Sequence, residues 1–264
     1  MKIFSSFFRQ AMRNTFIYKF EFWVRRIVLV FIMYGVYCLW NILYTQNNDS
    51  GVDLSGMISY GILGVALQAS FITALGPQRY ISSQVRIGAL DTDLIKPIDF
   101  HVHMLARNSG ETLSRLITST IPCLIIGFIF FNFQLPGDFI QGSAFILSIV
   151  LGYAIQFSLN FIIGILAVIS IDIKNISWAY ISLISFFSGD FIPLWLFPAG
   201  LRNIAEILPF KGIFYIPISI YIGNFSGTGI VSAVLFQIIW VLILAVLGRL
   251  FWSFAYSRIK IQGG

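Results

Sequence analysis

Charge is what this sequence has least of. Only 11% of its 264 residues are Asp, Glu, Lys or Arg, against about 25% in an ordinary soluble domain. Hydrophobic residues make up 58%, and the mean hydropathy is +0.86. That balance excludes a free-standing water-soluble domain and defines an all-α integral membrane protein. Cysteine is sparse too. Cys38 and Cys123 both fall inside long apolar runs, so they read as small buried residues and not as a disulfide framework. Histidine is reduced to His101 and His103. Two residues apart on a helix, they point to different faces and make a poor metal pair. The chain has no GxxxxGK[ST] phosphate loop, and HExxH, CxxC and GxSxG are missing. No catalytic residue, metal site or cofactor is expected in this chain.

What charge there is sits in the right places for a membrane. The net charge is +6, but the cations flank apolar spans and form no nucleic-acid patch. Residues 1–26 hold six Lys or Arg and one acid, Glu21. Phe4, Phe7, Phe8, Ala11, Thr15, Tyr18 and Phe22 fall on one side of a helical wheel, with Lys2, Arg9 and Arg13 roughly opposite. This pattern predicts an interfacial amphipathic helix lying on lipid. The first apolar run begins after Arg25-Arg26 without a small-residue cleavage pattern, so it is expected to be a retained span.

Six spans are predicted. They are Ile27–Tyr44, Leu54–Gly76, Leu116–Leu135 with a kink at Pro122, a long run within Phe139–Ile171, one starting near Asn175, and Gly229–Gly248. The first two outer loops carry no Lys or Arg, and the third carries only Arg202 and Lys211. Both termini are therefore expected in the cytoplasm. No soluble domain is left over, so residues 1–264 are expected to form one transmembrane domain.

Two stretches interrupt the spans. The first is a charged elbow, RYISSQVRIGALDTDLIKPIDF, from Arg79 to Phe100, within a water-side region at 77–111. It reads as a helix ending at Gly88, a restart at Asp91 or Thr92, and a stop at Pro97. Asp91 and Asp93 beside Lys96 look like helix-start charges. Leu90, Leu94 and Ile95 are the aliphatic candidates for a partner's groove, with Arg86, Asp91 and Lys96 at its rim. The second interruption, 189–229, is apolar, aromatic and broken by Pro193, Pro198, Pro209 and Pro217. It is too apolar for a water loop and too interrupted for a span. Short re-entrant helices in the outer leaflet are expected there. Asp190 lies 16 residues past Lys174, about 24 Å along a helix. It is expected near the outer surface as a solvated acid.

Gly88, Leu90, Leu94, Lys96 and Pro97 resemble the cytoplasmic Gly, Leu, Leu-x-[KR]-Pro pattern of one family. Ser188, Gly189, Pro193, Leu194, Pro198, Leu208, Pro209, Phe210, Pro217 and Gly223 resemble its outer pattern. That family is the permease subunits of type-2 ABC exporters, in the six-span branch of about 260 residues. The resemblance implies a homo- or heterodimer of permeases in a bacterial plasma membrane, in contact with its lipids. It also implies two separate ATP-binding subunits, which carry the ATP and Mg2+. It makes the elbow a coupling helix, with Arg86, Gly88, Leu90, Asp91, Leu94, Ile95, Lys96 and Pro97 meeting the ATPase. The broken segment then caps an outer gate through Gly189, Asp190, Pro193, Trp195, Phe197, Pro198, Pro209 and Phe210. Asp190 matches no family role. The implied substrates are drugs, peptides, lipids or glycans. A secondary transporter or channel is the alternative, and it would call for ionisable groups or broken helices near the midplane.

Overall fold

The computed structural model describes residues 6, 8–10, 19–46, 53–71, 76–169 and 174–257. Among these residues every regular element is helical. In hydrocarbon, a helix is the one open-ended way to satisfy every backbone N–H and C=O within a segment. Five helices are long and apolar enough to cross a membrane. α1 is Lys19–Gln46 and α2 is Leu54–Phe71. After the elbow helices α3 (Pro77–Arg86) and α4 (Leu90–Leu94), α5 (Phe100–Arg115) continues through a π turn into α6 (Ile121–Phe130). α7 is an unbroken 31-residue helix, Phe139–Ile169. α8 (Lys174–Phe187) is shorter. It leads into the broken segment with α9 (Ala199–Ile207) and α10 (Tyr215–Tyr221), and α11 (Thr228–Tyr256) follows.

Several boundaries differ from the sequence reading. The amphipathic helix expected over 1–26 lies mostly outside the described residues. Its end is displaced as well, because α1 already runs from Lys19 through Arg25 and Arg26 without a break. Span three and the water-side stretch before it form one continuous helix from Phe100 to Phe130. Its π turn, Leu116–Thr120, stands just before Pro122. Pro122 has no N–H and its ring crowds the preceding turn, and the wider π geometry accommodates that defect. The last helix reaches Tyr256 and so includes Arg249. The predicted fifth span resolves into α8, whose 14 residues cover about 21 Å, too little to cross alone.

α2 is the axis of the molecule. From Gly56 to Leu67 every residue is buried. α1 and α11 show broad apolar faces outward, with Phe31 and Leu242 among many exposed side chains. Lipid or another subunit is the natural cover for such faces. The main core joins α2 to Cys123, Phe131 and Phe133, to Ile155 of α7, and to Ile213, Phe214 and Ile218 of the broken segment. Polar side chains fasten this core where hydrocarbon offers no water. Thr120 donates to the Ala66 carbonyl at 2.8 Å. Gln237 of α11 donates to the Gly212 and Ser148 carbonyls at 2.8 and 3.0 Å.

α7 connects the two ends. Near its carboxyl end Gly164 lets α3 come close: a Cβ there would lie 3.0 Å from Gln78 Cα. Nearer its amino end Gly152 lies against the broken segment, where a Cβ would sit 2.8 Å from the Gly212 oxygen. Gln141, one turn into α7, donates to the Ile220 and Tyr221 carbonyls, each at 2.8 Å.

Candidate functional site

The elbow is built from local backbone chemistry upward. Gly88 sits at φ +68°, in the left-handed region that glycine enters without steric cost. Its N–H bonds the Val85 carbonyl at 3.2 Å, and the Ala89 N–H bonds Gln84 at 2.9 Å. Those two bonds form the Schellman stop that ends α3. The restart comes earlier than expected. Ala89, not Asp91 or Thr92, caps α4, and the Thr92 hydroxyl points back to the Ala89 carbonyl at 2.7 Å. α4 ends at Leu94, and Pro97 lies just past it. Asp99 then caps α5 by accepting the Val102 N–H at 3.1 Å.

Side chains lock these pieces together. Asp93 is buried and is no solvated helix-start charge. It accepts the Tyr80 hydroxyl at 2.7 Å and pairs with Lys96 at 2.5 Å. Burial, and after it the hydrogen bond to Asp93, push the Tyr80 phenol well above its ordinary value. Arg107 of α5 stacks over the Tyr80 ring at 4.0 Å. Beneath lies a second core of Ile81, Leu90, Phe100, Met104, Phe157, Phe161 and Ile165, against which Leu94 packs.

This core corrects the choice of surface residues. Leu90 is buried in the chain's own interior and cannot meet a partner, and Leu94 packs inward as well. Ile95 is 82% exposed. Ile87, which the sequence reading passed over, is 65% exposed. Arg86, Gly88 and Pro97 are exposed with them, and Asp91 and Lys96 are half-buried. The histidines diverge: His101 packs edge-on to Phe161 at 4.8 Å, and His103 is buried.

The outer segment has the opposite character. α8 stops at Phe187, and the chain turns at Gly189, φ +71°. The turn is clamped on α2. Tyr60 donates its hydroxyl to the Gly189 carbonyl, and Tyr215 donates its N–H to Ser188 at 2.9 Å. Asp190 is the clearest departure from expectation. It is 1% exposed and accepts the Gln68 amide at 2.7 Å and the Phe191 N–H at 3.0 Å. Its backbone oxygen would be 2.0 Å from a Cβ on Gly64. Gly64 stands ten residues into α2, about 15 Å from that helix's Leu54 end. Asp190 is therefore an internal, hydrogen-bonded acid and not a solvated one at the mouth.

The prolines sort the rest. Pro193 and Pro198 each precede a helical turn, and Pro209 opens another. All use positions where a missing N–H costs nothing. Trp195 is half-buried, with its ring 5.4 Å from Tyr60 and 5.8 Å from Tyr215. Phe197 meets Phe186, and Phe210 meets Phe187. Of α9 only Ala205 is buried, whereas Ile213, Phe214 and Ile216–Tyr221 are buried throughout. The segment is thus an exposed amphipathic helix followed by an internal plug. No local signal could have named Gln68 or Tyr60 as partners, because they lie more than a hundred residues away.

Among the described residues, five apolar helices long enough to cross a membrane, packed around α2, define a multi-pass membrane protein. Residues 29–263 match the model of the ABC-2 family transporter proteins, and the chain belongs to that family. Comparison with curated proteins finds no match. The chain is accordingly a membrane component of an ABC transporter, a kind of subunit that is generally non-catalytic.

Proposed function

We propose that this permease is driven by ATP hydrolysis in a separate subunit docked on the elbow, and that it exports an amphipathic or hydrophobic molecule. α7 is the observation that carries the reading. One uninterrupted helix is in close backbone contact with the elbow through Gly164 and with the outer plug through Gly152. A push on the elbow tip therefore reaches the plug through a stiff rod. The tip itself presents Ile87 and Ile95 to water on a base held by Asp93, Tyr80 and Lys96, as a handle for a partner requires. The concentration of cations at the elbow end supports cytoplasmic termini. A second permease chain, covering the outward faces of α1 or α11, completes the proposed assembly.

Purification of the tagged chain from its native membrane tests this directly. A copurifying subunit that carries a GxxxxGK[ST] loop, with ATP hydrolysis by the complex, is the expected result. A chain that purifies alone and moves substrate in vesicles without ATP would overturn it. The internal Asp190 favours the second reading, a secondary transporter, because buried acids in broken membrane segments often couple ions. Transport driven by a proton gradient in those same vesicles would select that reading.

A further inference from the structure

The turn between α8 and the outer plug buries a carboxyl group among neutral neighbours. Asp190 is 1% exposed. Its oxygens accept from the Gln68 amide and the Phe191 N–H, and among the described residues no lysine, arginine or histidine pairs with it. α2 faces the turn with Gln68 and the Tyr60 phenol, and α10 brings the Tyr215 phenol against Gly189. The charged groups of the broken segment are engaged elsewhere. Arg202 and Glu206 of α9 are exposed and pair with each other at 2.8 Å, and Lys211 lies over the Phe236 ring at 4.1 Å. The buried Ser188 hydroxyl stands beside the carboxyl without completing a hydrogen bond of good geometry.

Taking a carboxylate out of water with no cation to meet it is strongly unfavourable, whereas the protonated acid is neutral and hydrogen bonds can satisfy it. One proton neutralises the turn, and Ser188 Oγ is at hand to accept its O–H. The same turn is built to let the proton go. Residues 188–193 contain no helix, the chain pivots at Gly189 with φ +71°, and Phe191 and Ile192 are exposed. The buried carboxyl is therefore next in sequence to the molecular surface, and no helix has to unwind to bring it there. Contacts with α2 seat the turn, through the Tyr60 hydroxyl on the Gly189 carbonyl and the Asp190 backbone oxygen against Gly64.

We propose that this turn is a proton-operated latch on the outer plug: the protonated Asp190 carboxyl keeps the plug seated on α2, and loss of that proton swings the carboxylate out and loosens α10. The proton leaves to water and returns from it on one side, so none crosses the membrane. The latch thus rests on neither reading of the energy source.

The test follows the thermal midpoint of the full chain in detergent micelles from about pH 5 to about pH 8.5, for the wild type and Asp190→Asn. Asn keeps an acceptor for Gln68 but cannot ionise, so the difference between the two chains isolates this group. The seated state holds a proton that the unfolded chain releases, so the wild type loses stability as pH rises and the variant does not. The midpoints should agree at the acid end and separate by about 5 °C or more at the alkaline end, with the wild type lower. Hydrogen exchange, corrected for its intrinsic dependence on pH, reads the plug itself. In the wild type, protection over Tyr215–Tyr221 should fall about fivefold across that range, with α3 and α4 unchanged. This second measurement needs no variant and stays decisive if Asp190→Asn fails to fold. Parallel midpoint curves, a wild type that gains on the variant as pH rises, or plug protection that ignores pH overturns the latch.

Discussion

The elbow and the outer plug are both broken helical segments rich in turn residues, yet they are stabilised in opposite ways. The elbow hides its polar lock, Asp93 with Tyr80 and Lys96, and turns Ile87 and Ile95 outward. The broken segment hides its aliphatics from Ile213 to Ile220, along with the Asp190 carboxylate, and leaves α9 and the stretch before it, with Phe191, Ile192 and Leu196, exposed. An element that receives force from outside needs a stiff base and a sticky tip. An element that seals needs its whole length inside. The same proline and glycine punctuation serves both, and what differs is where the apolar atoms point.

Substitutions at four positions sharpen that contrast, taken from the largest effect on stability downward. Gly64→Val is expected to be the most damaging, because its side chain meets a backbone oxygen that cannot rotate away. A loss of 3 kcal/mol or more, on the order of severe overpacking, should appear as aggregated protein in size-exclusion chromatography. Asp190→Leu strands the Gln68 amide and should cost about 1–3 kcal/mol. Asp190→Asn, which can still accept from Gln68, should recover most of that in a thermal melt. Recovery by Leu and not by Asn would mean the plug is held by packing alone.

Asp93→Ala should cost a similar 1–3 kcal/mol, but on the other side of the membrane. It removes the acceptor of the Tyr80 hydroxyl, so hydrogen exchange should rise over α3 and α4 and stay unchanged over Ile213–Tyr221. Exchange that rises in both regions would mean they do not unfold separately. Gly88→Ala is milder. No atom lies within 4 Å of the added Cβ, so only the left-handed backbone penalty of about 1 kcal/mol applies.

The sequence carried the architecture well and the contacts poorly. Low charge and long apolar runs located the helices, and the Gly88 stop was legible because a helix terminus is a local event. Leu90 was misplaced because α4 has five residues, too few for a periodicity that separates inside from outside. Asp190 was misplaced for another reason. Counting residues from Lys174 measured distance along a helix, whereas its burial depends on Gln68, which is 122 residues away in the chain.

The central claim is that the elbow tip is a coupling surface, and the double variant Ile87→Asp with Ile95→Asp tests it most directly. Both side chains are exposed, so stability should shift by less than about 0.5 kcal/mol, and the chain should insert normally. In the reconstituted complex the variant should lose the ATP-binding subunit, and hydrolysis should fall to that of the free subunit. Full retention of the ATP-binding subunit together with wild-type ATP hydrolysis would contradict the account.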